Sequence, residues 1–313
     1  MSKEPLHITN GGILTSYLNE LEIAGEKLTW QEILCEGPTQ HVIHTDEFIA
    51  LRSDFLSTCY NVELDLNKVE FALGQLSNLE RYSEIILWFE YDLFCHINLL
   101  AVINLLQQKK IDLPLYLVCS GRISGVSALK GLSELNAAQL FKHYKDKVRL
   151  NQDDIDLAST LWGIYCGKDH NLLKPFIVQS SSFKYLSNCL KAHLERFPDS
   201  KSGLNVLETN ILSLIKENNI KSRNHLLGYA LNYQGYYGFG DMQLNRIIDK
   251  LSYFFNEEEG KISLNRKGFE ALLKQYNFSK EMNDGMTYGG VNVADFHFDK
   301  KQNKLIKIVS HAN

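Results

Sequence analysis

The chain has 313 residues, of which 44% are hydrophobic and 22% charged, with five prolines and twenty glycines, and this composition excludes disordered and fibrous proteins. No apolar run reaches the roughly 18 residues that a membrane-spanning helix needs, and the polar first residues give no sign of a secretory signal. The net charge of −4 divides into −7 over residues 1–200 and +3 over residues 201–313, which argues against a dedicated DNA-binding protein because such proteins are far more basic.

Strand and helix patterns alternate over the first 120 residues. Strands are predicted at residues 6–9, 26–30, 84–89 and 113–118, and helices at 13–23, 45–58, 66–80 and 93–106. The segment 84–89 is unbroken, apolar and aromatic, as expected of a strand covered on both faces. Strands separated by helices are joined by parallel crossovers. We therefore predict an α/β fold, with a small parallel-sheet, three-layer domain over residues 1–125.

The middle of the chain shows helical periodicity and no strand pattern between residues 133 and 197. A helix is predicted to begin at a hydroxyl cap on Ser133, and further helices follow at 153–165 and 183–196. Residues 197–203 combine proline, glycine and small polar residues, which is typical of a linker. We therefore predict a helical segment over residues 126–198.

The last part of the chain, residues 199–313, resembles a winged-helix unit in its order of elements. Helices are predicted at 204–217 and 222–232, a third runs from a cap at Asp241 to about 254, and a strand at 261–264 precedes a helix at 267–276. The tail segments 287–291, 296–299 and 304–309 predict a closing hairpin.

Three N-terminal motifs together carry a family resemblance. Leu6–Gly11 reads LHITNG, Trp30–Pro38 reads WQEILCEGP and Leu87–Asp92 reads LWFEYD. With Phe197-Pro198 and the late Tyr-Gly-Gly-Val, they make most of the chain resemble the bacterial family known as domain of unknown function 1835. The resemblance implies a bacterial cytoplasmic protein and brings no established activity. Where the family pattern usually has an acid after Asn-Gly, this chain has Gly12.

The same motifs fall at predicted carboxyl ends of strands, where open parallel sheets bind ligands. Asn10, Gly11 and Gly12 follow the first strand and precede a helix, so their backbone N–H groups are candidates for holding a phosphate. A tight strand-to-helix turn without a ligand is the alternative. The chain has no P-loop and no dinucleotide-binding glycine motif after a strand.

Three carboxylates are the candidate catalytic residues. Glu90 follows a run of apolar residues, and burial there would raise its pKa toward that of a general acid or base. Glu36 follows the second strand, so the two are predicted to share a cleft and divide the acid and base roles. A structural carboxylate bonded to backbone N–H groups is the rival interpretation of Glu90. Asp92 either caps the following helix or supports this arrangement, including by chelating a divalent cation.

Basic residues and one thiol complete the candidates. His7, inside the first strand, and Arg122, after the last one, are predicted ligand contacts, with a packing histidine and a surface arginine as the alternatives. Cys95 stands beside His96 near a helix N-terminus, which would lower a thiol pKa. No third member of a Cys-His nucleophile arrangement is recognised.

No metal site or cofactor is identified from the sequence. The six cysteines include no Cys-x-x-Cys pair, which favours buried, reduced thiols in a cytoplasmic protein. His41 and His44 lack an acid at zinc spacing.

Two functional hypotheses follow. The first is an enzyme or sensor whose α/β domain binds a phosphorylated, nucleotide-like small molecule. The second is a transcription regulator with a winged helix on DNA, although the helix from Asp241 offers only Arg246 and Lys250 as basic groups, opposed by Asp249. An interaction or dimerisation module is therefore favoured for that unit, and a scaffold whose motifs are structural is a third possibility.

Overall fold

A computed structural model describes residues 3–308 with the exception of residues 124, 127 and 259. The last residue of the predicted strand at 304–309 lies outside the described residues.

Helices form where the apolar periodicity predicts them. They are α1 (Gly12–Glu20), α2 (Asp46–Tyr60), α3 (Leu66–Ser77), α4 (Leu93–Gln108), α5 (Ala137–Lys145), α6 (Gln152–Cys166), α7 (Leu186–Glu195), α8 (Val206–Glu217), α9 (Arg223–Tyr233), α10 (Asp241–Leu251) and α11 (Arg266–Leu272). Over the described residues, none of them combines the length and hydrophobicity that a bilayer crossing requires.

Strands are concentrated in the first 120 residues and in the tail. They are β1 (Glu4–Asn10), β2 (Glu26–Trp30), β3 (Gly37–Pro38), β4 (Tyr82–Trp88), β5 (Leu115–Val118), β6 (Val148–Arg149), β7 (Phe255–Glu258), β8 (Lys261–Leu264), β9 (Thr287–Gly289), β10 (Val291–Asn292), β11 (Phe296–Asp299) and β12 (Lys304–Lys307).

The central sheet has the strand order β2-β1-β4-β5-β6. The first four of these strands are parallel, and β6 pairs antiparallel with β5 at one edge. The predicted α/β fold is confirmed. The prediction that no strand lies between residues 133 and 197 is wrong, since β6 lies there. The strand has only two residues, both exposed, so it has no apolar alternation by which the sequence could indicate it.

Helices cover both faces of this sheet. On one face α4 is buried around its whole circumference from Cys95 to Leu106, and α6 and α7 pack against it. On the other face α1 and α5 pack over Ile86 and Trp88 of β4. Because both faces are covered, β4 is apolar and buried from Ile85 to Trp88, as the sequence predicts.

Two predicted helix caps are replaced by neighbouring residues. Asn136, rather than Ser133, caps α5: its side chain accepts from the Gln139 N–H at 3.0 Å while Gln139 accepts from the Asn136 N–H at 3.1 Å. Asp241 is the first residue of α10, which is preceded by Gly240 at the cap position. The reciprocal pair of side-chain bonds is present at α5, whereas at α10 only the Gln243 side chain accepts, from the Gly240 N–H at 3.1 Å.

The C-terminal part combines α8, α9 and α10 with the antiparallel hairpin β7–β8 and α11. A bridge between Ile220 and Ile262 joins the α8–α9 connection to this hairpin. The predicted closing hairpin is confirmed in β11–β12.

Strand β9 belongs to a different sheet and pairs in parallel with β3, placing Tyr288 opposite Gly37. One cluster of buried hydrophobic residues extends from Leu6 to Leu305 and includes all three predicted domains. Their boundaries remain predictions.

Candidate functional site

The carboxyl ends of β1 and β2 are tied together by a buried amide. Asn98 in α4 donates from Nδ2 to Asn10 Oδ1 (2.8 Å) and to the Glu32 carbonyl (2.7 Å), and its Oδ1 accepts from the Leu34 N–H (3.3 Å). Asn10 donates in turn from Nδ2 to Sγ of Cys95 at 3.0 Å. Both amide hydrogens and the side-chain oxygen of Asn98 are thus engaged, so this helix residue fixes Asn10 in place.

The glycine turn after β1 leads into a helix whose first turn has no side-chain cap. Gly11 has φ 97°, a conformation that favours glycine, and its N–H donates to the Trp30 carbonyl at 3.0 Å. Helix α1 then begins at Gly12 with no side-chain cap and no acidic residue in its first turn. A Cβ at Gly11 would meet no atom within 4 Å. Ile13 beside it is 79% exposed, so the turn faces open space.

Glu90 and Asp92 lie beside Cys95 at the end of β4. One carboxylate oxygen of each acid and the Cys95 Sγ lie within 4.8 Å of one another. Burial raises the pKa of Glu90, and burial followed by the Glu90 charge raises the pKa of Asp92 to about 7. The pKa of both acids is thus raised, as the sequence predicts for Glu90.

These three side chains are also the one group of potential metal ligands that the described residues bring together. Two of their atoms are already engaged by the backbone: Glu90 Oε1 accepts from the Leu132 N–H at 2.6 Å, and Asp92 Oδ1 accepts from the Cys95 N–H at 2.8 Å. The bond to Leu132 is the contact that the rival, structural interpretation of Glu90 requires. A cation would have to compete with both bonds, so the group carries no metal assignment.

Asp92 caps α4 and is covered by the C-terminal part of the chain. A Cβ on Gly238 would lie 2.1 Å from Asp92 Cγ, so the Gly238 backbone packs directly on the carboxylate. The next N–H groups of α4, those of Leu93 and Phe94, donate to carbonyls in the same loop. The capping alternative for Asp92 is therefore present, and its 5% exposure leaves little access for a substrate.

The thiol of Cys95 departs from the prediction of a lowered pKa. Burial, followed by the charges of Asp92 and Glu90, raises its pKa well above the ordinary value. The helix N-terminus does not compensate for desolvation beside two acids. All six cysteines are free thiols.

Glu36 makes its polar side-chain contacts with other partners than Glu90. It is 1% exposed, forms an ion pair with Arg246 of α10 at 2.8 Å, and accepts a hydrogen bond from the Tyr60 hydroxyl. Nearby, the buried Arg52 donates to the carbonyls of Glu36 and Pro38. This group of residues, Glu36 with Tyr60, Arg52 and Arg246, is called the Glu36 corner below.

Both histidines near the strand ends are interior residues. His7 is fully buried, accepts at Nδ1 from the Trp88 indole N–H (2.9 Å) and bonds the Ala24 carbonyl through Nε2 (2.9 Å). His96 bonds the Asp92 carbonyl through Nδ1 at 2.9 Å. Burial lowers the pKa of each to about 4. With both ring nitrogens occupied, His7 matches the packing alternative and has no atom left for a ligand.

Arg122 has an exposed side chain. Its backbone N–H donates to the Tyr185 hydroxyl at 2.9 Å. The alternative of a surface arginine describes its position in the structure.

Sequence reasoning missed the partners of the Glu36 corner. The sequence places Arg246 on the polar face of a helix, and no motif includes Tyr60 or Arg52. Arg246 is separated from Glu36 by 210 residues, so no local spacing could reveal the pair.

Comparisons with known proteins add no family or activity. No family model matches the sequence, and no curated protein matches it. A crystal structure of the DNA-binding, cleavage and re-ligation domain of Plasmodium falciparum topoisomerase II aligns with a TM-score of 0.46 and 13% identity, over 79% of this chain and 42% of that one. This chain thus spans less than half of that domain, and so low a similarity carries no inference about fold or function.

Proposed function

We propose that the carboxyl edge of the sheet binds a small molecule carrying a phosphate, nucleotide-like in class. The N–H groups of the first turn of α1, beginning with that of Gly12, hold the phosphate, whereas the Gly11 N–H is already bonded to the Trp30 carbonyl. Glu90 hydrogen-bonds a polar group elsewhere on the same ligand. Asp92 and Glu36 are not included, because a helix cap and an ion pair already engage their carboxylates.

The open first turn of α1 is the observation that carries this proposal. Most helices here begin with a side chain that accepts from their first N–H groups, such as Thr45 for α2 and Asn205 for α8. At α1 glycine supplies none, and the turn faces open space. Unpaired N–H groups at the positive end of a helix dipole favour an anion.

Glu90 supports a ligand larger than a free phosphate ion. Asn10 lies 3.0 Å from Cys95 Sγ, which is within 4.8 Å of the Glu90 carboxylate. Burial raises the pKa of Glu90, which favours its protonated form, and a protonated carboxyl both donates and accepts. A ligand hydroxyl or ring nitrogen is therefore a suitable partner for it.

Substitution of Gly12 tests the phosphate contact. Purified protein is screened by thermal shift against nucleotides and sugar phosphates, with and without Mg²⁺, and the same ligands are titrated on Gly12→Asp and Gly12→Ala. A Cβ at Gly12 meets only Gln31 Nε2, at 3.8 Å, so both variants should fold. Asp adds a charge that favours the helix but repels an anion, so affinity should fall about tenfold or more in Gly12→Asp alone. Equal binding by both variants contradicts the phosphate contact.

Glu90→Gln tests the second contact. The amide is neutral at every pH, so it should weaken a nucleotide while leaving inorganic phosphate binding within about twofold. Glu134→Gln, an exposed neighbour that bonds the same turn, is the control. A wild-type protein that no phosphorylated ligand stabilises contradicts the proposal as a whole.

The C-terminal part supports an interaction unit better than a DNA-binding one. The order α8, α9, α10, hairpin, with the Ile220–Ile262 bridge, supports the winged-helix interpretation. The basic groups of its third helix are engaged internally: Arg246 pairs with Glu36 and Lys250 with Glu208. We therefore expect no gel shift with pooled DNA fragments at micromolar protein and low salt, and a shift there would favour the regulator hypothesis.

The resemblance to domain of unknown function 1835 supports a place in the bacterial cytoplasm. The free thiols of all six cysteines agree with a reducing compartment.

A further inference from the structure

A second candidate site lies in the interior of the C-terminal part, away from the Gly11 turn and Glu90. It is a cavity of about 70 Å³ between α8, α10, β9 and the segment 279–286. This is roughly half the volume of an engineered cavity that takes up benzene. The space suits one compact ion or a few water molecules.

Arg196 in the wall of this cavity is a buried cation without an ion pair. Its side chain is 1% exposed, its Nη1 donates to the Cys35 carbonyl (2.5 Å), and its guanidinium lies 3.9 Å from the centre of the Tyr288 ring. No carboxylate of the described residues is within ion-pair distance of it. Buried charges in proteins are normally paired with an opposite charge, so Arg196 lacks its expected partner.

A chain of two neutral histidines holds Arg196 in position. A guanidinium only donates, so His193 accepts at Nδ1 (2.6 Å) and donates from Nε2 to His170 Nδ1 (2.8 Å). His170 then donates from Nε2 to the Tyr165 carbonyl at 2.8 Å. Burial lowers the pKa of both rings, that of His170 to about 4. The chain orients Arg196 and adds no negative charge to offset it.

Three nitrogens on residues that line the cavity have no hydrogen-bond partner among the described residues. They are Arg196 Nε, Arg246 Nε and His297 Nδ1, all buried. The two guanidinium nitrogens are donors only. The unsatisfied capacity at this cavity is therefore mainly for acceptor atoms.

The charged residues of the cavity wall also favour an anion, because the wall has more cationic than anionic side chains. Arg196, Arg246 and Lys250 line it against two carboxylates, Glu208 and Asp284. These carboxylates pair with Lys250, and Asp284 also with Arg246. The remaining partner of Arg246, Glu36, is not part of the wall.

We propose that this cavity binds a compact oxyanion, the carboxylate of a short organic acid or inorganic phosphate, with Arg196 as its charge partner. His297 and Arg246 supply further donors. Met282 and Met286 in the wall contact any short apolar remainder. The proposal does not depend on the strand-edge ligand.

Calorimetric titration and thermal shift with sodium phosphate and sodium acetate test it, with sodium chloride at equal ionic strength as the control. Wild type should show saturable binding of at least one oxyanion and a rise in Tm that chloride does not give. The preferred anion separates the two sources. Absence of binding for both oxyanions overturns the proposal, as does a crystal structure grown with them that shows only water in the cavity.

Variants assign the binding to this cavity. Arg196→Met should abolish it, and His297→Phe should weaken it about tenfold by removing one donor. His225→Phe, on α9 outside the cavity, should bind as wild type. If Arg196→Met does not fold by circular dichroism, unchanged affinity in His297→Phe overturns the proposal.

Variants of the strand edge separate the two proposals. Gly12→Asp should keep the cavity response while losing the strand-edge ligand, and His297→Phe should do the reverse. Loss of the oxyanion response in Gly12→Asp alone assigns it to the strand edge and overturns the cavity site.

Discussion

Glu36 follows β2 in the chain and Glu90 follows β4, two strands on either side of β1 in the central sheet, yet the two carboxylates have different partners. At the Glu36 corner the carboxylate has a cation, Arg246, and a phenol, Tyr60, as partners. At the end of β4 Glu90 has no cationic partner among the described residues; backbone N–H groups hold it, and burial raises its pKa. A paired carboxylate is a structural charge, whereas an acid without a counter-ion is free to exchange a proton. Glu36 and Glu90 both follow strands in the sequence, and their different partners in the structure indicate different roles.

The strongest way to break this comparison is to remove the cation from the Glu36 corner. Arg246→Met should lower the free energy of unfolding by about 3–5 kcal/mol, because it leaves a buried carboxylate unpaired. Urea unfolding at pH 7 measures the loss. Arg266→Met is the control, since that exposed arginine pairs with Glu270 in water and should cost under about 1 kcal/mol. Equal losses would show that the Glu36 pair is no stronger than a surface one.

A second experiment crowds the acids at the end of β4. Gly238→Ala puts a Cβ against Asp92, whereas Gly235→Ala, also at positive φ, meets no atom within 4 Å. Both variants have the same type of backbone strain, so the difference between their free energies of unfolding measures the contact of the Gly238→Ala methyl group with Asp92. We expect Gly238→Ala to be less stable by up to about 3 kcal/mol more. Similar urea midpoints for the two variants would mean that the loop does not press on Asp92.

The pH dependence of stability sharpens the comparison further. The pKa of Asp92 rises from 3.8 in the unfolded chain to about 7 in the fold, with burial as the main cause and Glu90 second. Between these values the folded protein binds more protons than the unfolded chain. The contribution of Asp92 to the free energy of unfolding is therefore fully present below the unfolded pKa and is lost as the pH rises toward 7.

Asp92→Asn should reveal this dependence directly. Asparagine caps a helix as well as aspartate and carries no charge, so the variant should be about 2 kcal/mol more stable than wild type at pH 8. The gain should shrink at pH 5, and urea unfolding at both pH values measures it. Asp65→Asn, at the exposed cap of α3, controls for the exchange of a capping carboxylate. A gain that is the same at both pH values would exclude titration of Asp92 as the cause.

The sequence predicted those parts of the molecule that depend on periodicity. The apolar run of β4 and the helical spacing of α4 define the sheet and its main cover, and parallel crossovers then place Asn10 and Glu90 at one edge. Because β1 and β4 are adjacent in the sheet, the closeness of Asn10 and Glu90 could be predicted from local patterns. The raised pKa of Glu90 also followed, since burial could be inferred from the residues before it.

Partners far apart in the chain were beyond this reasoning. Arg246 reads as a solvent-facing residue of an amphipathic helix, and only the packing of α10 against the Glu36 corner turns it inward. Gly238 on Asp92, and the line from Arg196 through His193 to His170, depend in the same way on how separate segments pack. A helical pattern states that one face is polar but does not state whether water or a buried carboxylate lies opposite.

The pairing of β3 with β9 has a consequence for how the chain is made. Gly37 can pair with Tyr288 only after some 250 further residues have been synthesised. Strands β1, β2 and β4 can pair much earlier. During synthesis the segment around Gly37 therefore stays without its β9 partner, while the central sheet beside it can already form. A nascent chain halted before the ninth strand should offer this segment to chaperones or proteases that ignore the finished protein.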